Sequence, residues 1–138
     1  MELTLLGTGC PSVDYKRFGP SNLVSTNKAR VLIDCGSGVT QRLNQLKISS
    51  ADIDALLLTH LHSDHVVDLY QLIISSWHSY RVKPWIIYGP KGTNNFVKKI
   101  MNAWKDERAQ RIDYEARSSI KAFNIIVKEF KSVGNLKI

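Results

Sequence analysis

The chain contains no apolar run approaching the ~18 residues that a membrane-spanning helix requires. Met1 leads directly into Leu3-Thr4-Leu5-Leu6, with no basic opening and no apolar core of signal-peptide length. Cysteine is scarce. Cys10 and Cys35 are too few for a disulfide framework, and they read as buried, reduced thiols of a cytoplasmic protein. Internal repeats, low-complexity tracts and linkers are missing as well. At 138 residues, 43% hydrophobic and 22% charged, one globular domain over 1–138 is expected.

Histidine is also scarce, and its distribution is uneven. Three of the four histidines, with one aspartate, fall in the stretch Thr59-His60-Leu61-His62-Ser63-Asp64-His65. Imidazole nitrogen and carboxylate oxygen are the donors that Zn²⁺ and similar divalent ions prefer. The preceding Ala55–Thr59 is a short apolar run and reads as a buried strand. In extended backbone His60, His62 and Asp64 project to one side, because side-chain direction repeats every two residues. His65 follows at the expected start of a helix. Four donors on a stiff corner suit two adjacent ions, with His60 and His62 on one and Asp64 and His65 on the other. The competing reading is a solvated polar loop; donor density directly after a rigid strand favours a site. His78 reads as a helix-end residue remote from the cluster.

The net charge of +7 is concentrated in one half. Residues 1–80 carry six Lys/Arg and seven Asp/Glu, while residues 81–138 carry thirteen and five. A basic half beside metal-ligand chemistry fits a polyanionic substrate, because Lys and Arg neutralise phosphates. A solvated helix surface is the alternative for charges such as Lys98 and Lys99.

Along the chain, strand and helix patterns alternate. Glu2–Leu6 reads as a strand, and Gly7–Pro20 as a Gly/Pro-punctuated loop. Ser21–Thr26 and Ala29–Asp34 form an expected hairpin about Asn27-Lys28. Val39, Leu43 and Leu46 have helical spacing, and Ser49 or Ser50 can cap the turn at 51–53. Val66, Leu69, Ile73 and Trp77 predict one helix. Trp85–Tyr88 is a strand, Asn94–Trp104 a helix with Val97, Ile100, Met101 and Trp104 on one stripe, and Phe123–Phe130 a strand. Asp106–Ser119 is polar, helix or loop. A further strand is expected at Leu136–Ile138. Trp77, Trp85 and Trp104 take core-like positions.

The motif His60-x-His62-x-Asp64-His65 after an apolar strand resembles the signature of the metallo-β-lactamase-fold hydrolases. The opening through Gly7-Thr8-Gly9-Cys10-Pro11, then Arg17-Phe18-Gly19-Pro20-Ser21, is similar to the ribonuclease Z and arylsulfatase-like branches, and Val31–Gly38 to the family's strand-Asp-x-Gly turn. The resemblance implies an α/β fold: the βα half of a four-layer αββα sandwich, a mixed sheet with helices on one face. It implies a metal-dependent hydrolase cleaving phosphodiesters through a water activated by two Zn²⁺, of the type that processes the 3′ side of tRNA precursors. In that pattern Asp64 also accepts a proton from the water, and Asp34 supports the ligands from behind. Asp68 either orients a ligand histidine or faces water. An arylsulfatase-like enzyme or small-molecule phosphodiesterase is the alternative, and a non-catalytic assembly subunit the alternative of another class.

Family members complete the site with a further His, a bridging Asp and a last His, from sequence beyond the part that matches. The expectation is therefore an amino-terminal half, cut before the third metal-binding motif, with zinc weak or absent in the chain alone. A half-fold leaves one sheet face open, bearing Leu3, Leu5, Leu32, Leu57, Ile86 or their neighbours. A sheet-to-sheet homodimer is the expected cover.

Overall fold

A computed structural model of the chain describes residues 1–131, and the strand expected at Leu136–Ile138 lies outside the described residues. Six strands, β1 (Glu2–Gly7), β2 (Ser21–Ser25), β3 (Arg30–Ile33), β4 (Ala55–Leu57), β5 (Trp85–Pro90) and β6 (Ile125–Phe130), form one sheet in the order of the sequence. β1, β2 and β3 pair antiparallel, and β3 through β6 pair parallel. The parallel half requires crossovers. These hold α1 (Val39–Gln45), α2 (Ser63–Val66), α3 (Leu69–His78), α4 (Thr93–Ala103) and α5 (Lys105–Glu115).

The alternation of side chains along each strand separates two faces. Leu23, Leu32, Leu56, Ile87 and Val127 form one cross-strand row. The first four are fully buried, packed with Val39 and Leu43 of α1, Leu69, Leu72 and Ile73 of α3, and Val97 of α4. One residue along, Leu3, Val24, Val31, Ala55, Ile86 and Ile126 form the row on the other face. None of these six belongs to the core built with the helices. At its margins Leu3 is 62% and Ile126 48% exposed. Leu32, expected on the open face, lies in the covered row because its register partners are Leu23 and Leu56.

Other expectations also need correction. The helix expected unbroken from Val66 begins three residues earlier, stops at Val66 and resumes at Leu69. The Asp68 N–H donates to the Cys35 carbonyl at 3.1 Å and the Cys35 N–H to the His65 carbonyl at 2.8 Å, so the loop after β3 replaces part of the helical ladder. Trp77 and Trp85 are buried, with indole N–H groups donating to the Ser119 carbonyl and the Ser76 hydroxyl. Trp104 is instead 47% exposed, because α4 ends at Ala103 and the chain turns into α5; its ring stacks on Tyr70 at 4.9 Å. Cys35 is buried as expected, whereas Cys10 is exposed in the loop after β1.

Candidate metal centre

The site is built where β4 ends. The Leu58 N–H donates to the Tyr88 carbonyl at 2.8 Å, and the Asp34 N–H to the Leu57 carbonyl at 2.8 Å, so the emerging segment is held between β5 and the end of β3. Thr59 continues this clamp by donating its N–H to Asp34 Oδ1 at 2.8 Å. His62 is extended (φ −68°, ψ 147°), and α2 starts at Ser63.

The motif side chains converge. The His60 ring centre lies 4.5 Å from that of His62 and 4.1 Å from that of His65. His65 Nε2 is 3.6 Å from Asp64 Oδ2. Period-two projection along a strand ending at Thr59 predicts this convergence; β4 instead ends at Leu57, and the His60 and His62 rings meet beyond it, on the segment that leads into extended His62. Asp64 and His65 arrive from the first turn of α2, which folds the second pair of donors back beside the first.

Behind the imidazoles stands Asp34, 4% exposed, at the end of β3 with its backbone in the left-handed region (φ 59°). Aspartate tolerates that conformation better than most residues, and its occurrence at functional sites is common. Its Oδ2 lies 2.8 Å from His65 Nδ1. The Thr59 hydroxyl reaches both carboxylate oxygens, at 3.0 and 2.8 Å, and also sits 3.0 Å from His60 Nδ1. Asp68 is fastened to α1. Its Oδ2 accepts from the Thr40 N–H and hydroxyl at 3.3 and 3.1 Å, which fastens the start of α1. Burial raises the Asp68 carboxyl above its ordinary value of 3.8, although these donors lower it.

The donors fit a divalent metal in chemistry. Three imidazoles and a carboxylate are gathered, and the Nδ1 of His65 already faces a carboxylate, the arrangement that orients ligand histidines. Among the described residues no group of three or more His, Cys, Asp or Glu side chains is arranged around one ion. Cys35 does not add a donor: burial, then the charges of Asp68 and Asp34, push its thiol well above 9.0, and the thiolate is the ligating form. His78 lies at the end of α3, with Nδ1 2.9 Å from the Ile74 carbonyl and Nε2 3.1 Å from Glu115.

Two residues that sequence reasoning passed over are structural keys to the site. Thr59 looked like the last residue of an apolar strand. Gly36 looked like a turn, yet a Cβ there would meet the Asp64 carbonyl oxygen and the Gly19 carbonyl carbon, each at 2.5 Å. A cleft of about 390 Å³ opens beside Asp64, lined by Cys10, Val13, Tyr15, Phe18 and Ser63 among others. A larger cavity of about 760 Å³ lies between α1, α3 and α5 and contains none of the motif residues.

Comparison with known proteins agrees with this architecture. The family described as Anti-Pycsar protein Apyc1 matches residues 1–126. A protein named ribonuclease Z from Mycolicibacterium gilvum (strain PYR-GCK) is 44% identical over 115 residues, covering 81% of this chain and 40% of that protein. The chain thus spans about two fifths of the length of the curated relatives it matches. The crystal structure of human tRNase Z, short form, superposes with a TM-score of 0.72 at 26% identity, over 94% of this chain and 44% of that one. The metallo-β-lactamase-fold protein YhfI from Bacillus subtilis gives a TM-score of 0.72 at 19% identity, over 99% of this chain and 49% of that one, a likeness of fold. With the mixed sheet, the one-sided helices and the His/Asp corner all in place, and with the fold of metallo-β-lactamase-fold proteins, the chain belongs to the family described as Anti-Pycsar protein Apyc1.

Proposed function

We propose that this chain supplies the first half of the metal site of a phosphodiester hydrolase. The observation that carries the reading is the convergence of His60, His62, Asp64 and His65 in front of the buried Asp34. His60 and His62 would hold one Zn²⁺, and Asp64 and His65 a second. Such a pair, when bound, supplies Lewis acidity and a water of lowered pKa. The chain's own residues orient the donors: Asp34 fixes the His65 ring, and α2 sets Asp64 next to it, where its carboxylate can also take a proton from a water. Two protein donors per ion is below the three or four of stable zinc sites. On this reading the remaining ligands lie outside residues 1–131, and zinc binding by the chain alone is weak.

For substrate, relatives named ribonuclease Z support an RNA phosphodiester of the tRNA-precursor type, and the net charge of +8 over residues 81–138 suits a polyanion. The cleft beside Asp64 favours a second reading, a small phosphodiester, since about 390 Å³ falls in the range of small-ligand pockets. The same reading places the protein in the cytoplasm and covers the open sheet face with a second copy.

The deciding experiment measures zinc binding and hydrolysis of two probes, a tRNA precursor with a 3′ trailer and bis(p-nitrophenyl) phosphate, for the natural protein and for its His62→Ala and Asp64→Ala variants. The expected result is zinc-dependent cleavage that both variants abolish. Zinc binding unchanged by either substitution would end the metal reading.

A further inference from the structure

Thr59 is exposed, ends an apolar run and carries no charge, so packing gives it no function. Its hydroxyl nevertheless has three polar neighbours: Asp34 Oδ1 at 3.0 Å, Asp34 Oδ2 at 2.8 Å and His60 Nδ1 at 3.0 Å. A hydroxyl has one proton to donate and two lone pairs to accept with. Asp34 is a carboxylate that offers only acceptors to this hydroxyl, so the single proton must point at Asp34. Otherwise two oxygen lone pairs would face each other at hydrogen-bond distance. The side of the hydroxyl turned to His60 is then an acceptor, and His60 Nδ1 must carry a hydrogen. That leaves His60 Nε2 with the lone pair a metal needs.

We propose that Thr59 is a positioning residue that fixes His60 as its Nδ1–H tautomer by relaying the hydrogen bond into Asp34. The inference rests on the metal reading of the motif for its purpose, but on hydrogen-bond geometry for its content. The relay runs His60 Nδ1–H to Thr59 Oγ1, Thr59 O–H to Asp34, and His65 Nδ1–H to the same carboxylate. One buried aspartate therefore orients a histidine of each proposed metal position, directly for His65 and through a hydroxyl for His60. Metal-ligating histidines usually give their second ring nitrogen to a carboxylate, carbonyl or water. Here a threonine extends the reach of a carboxylate that His60 does not touch.

The test begins with the metal-free 138-residue chain labelled with ¹⁵N-histidine. Long-range ¹H–¹⁵N correlation spectra distinguish a protonated ring nitrogen from a bare one. The expected spectrum shows His60 with Nδ1 protonated and Nε2 bare. Thr59→Val, nearly the same shape without the hydroxyl, should lose this preference, and its zinc affinity should fall about 10–100-fold. Thr59→Ser, which retains the hydroxyl, should restore both. A wild-type His60 with Nε2 protonated overturns the proposal, as does a Thr59→Val protein that keeps both tautomer and affinity, or a Thr59→Ser protein that behaves as Thr59→Val. If Thr59→Val does not fold, the wild-type and Thr59→Ser spectra decide. Where zinc binding by the 138-residue chain is too weak to measure, the tautomer spectra alone decide the role of Thr59, and the metal reading is decided separately by the His62→Ala and Asp64→Ala variants of the natural protein.

Discussion

Asp34 Oδ2 and His65 Nδ1, thirty-one residues apart in the chain, meet at 2.8 Å at the back of the His/Asp corner. The carboxylate also receives the N–H and hydroxyl of Thr59, so one buried group organises both ends of the motif loop. Asp34→Asn preserves the shape but turns an amide N–H₂ towards at least one of these donors. Zinc affinity should fall about 10–100-fold, with a stability loss of about 1–3 kcal/mol for the mispaired buried group. Competition titration with a chelator and urea unfolding read the two effects, and an Asn variant with native zinc affinity contradicts the assignment.

Gly36 should not accept even one methyl group. The nearest atoms to its added Cβ are backbone atoms of Asp64, Gly19 and Pro20, which cannot rotate away. Gly36→Ala is expected to lower the unfolding free energy by about 1–3 kcal/mol, as overpacking does. It should also displace α2, broadening the His60 and His65 ring signals. Urea melts with the native midpoint would show that the three segments are not in real contact.

Arg81, 2% exposed, is expected to be the costliest polar residue to remove outside the site. Its guanidinium donates to the carbonyls of Lys83, Ala51, Ile53 and Pro84 and lies 4.0 Å over the Trp85 ring. Burial lowers it to about 10, and it stays charged at neutral pH. Arg81→Met would strand several buried carbonyls, each at about 1–3 kcal/mol. Arg81→Lys should recover only part of the loss, because an ammonium lacks the planar fork. Equal melting temperatures for Arg81→Met and wild type would refute this.

Asp68 gives a pH prediction. Its folded carboxyl titrates above the unfolded 3.8, because burial outweighs the donors from Thr40 and the start of α1. Between those two values the native state binds more protons than the unfolded one, so stability falls as pH rises through the window and is then constant. Asp68→Asn removes this penalty and keeps an acceptor for Thr40. The variant's melting temperature should exceed wild type at neutral pH, with the gap closing as pH falls towards the unfolded value. A gap that widens on acidification has the wrong sign for this account.

The open sheet face should drive association. Leu3→Glu with Ile126→Lys places charge at the two margins of the apolar row without touching the helix-covered core. Light scattering is expected to show dimers for wild type and monomers for the double variant, at similar melting temperatures. A monomeric wild-type chain would remove the basis for the self-association reading.

What could be read from sequence followed from period and punctuation. The turn at Asn27-Lys28, the apolar run of β4 and the apolar segment of β5 ended by Gly89-Pro90 placed the sheet, and the density of histidine placed the site. The break at Val67-Asp68 could not be read, because it depends on the Cys35 carbonyl and N–H bonding to Asp68 and His65. The bonds from Thr40 to Asp68 could not be read either, because Thr40 lies twenty-eight residues away on α1. Trp104 kept the helical spacing of its stripe while falling one residue past the end of α4. Thr59 carried no signal, since its partner Asp34 is twenty-five residues away.

The sequential order of the strands bears on how the site can come into being. Among the described residues no strand is inserted between two that precede it, so each new strand adds to an edge already formed. By Pro90, the end of β5, the nascent chain contains Asp34, Thr59, the whole His/Asp motif and both neighbours of β4. The corner can therefore set while α4, α5 and β6 are still being synthesised. The two pairings that flank β4 are nevertheless parallel and non-local, Val31 with Ala55 and Ala55 with Ile86, so the corner sets only after both crossovers have closed, a slow kind of pairing.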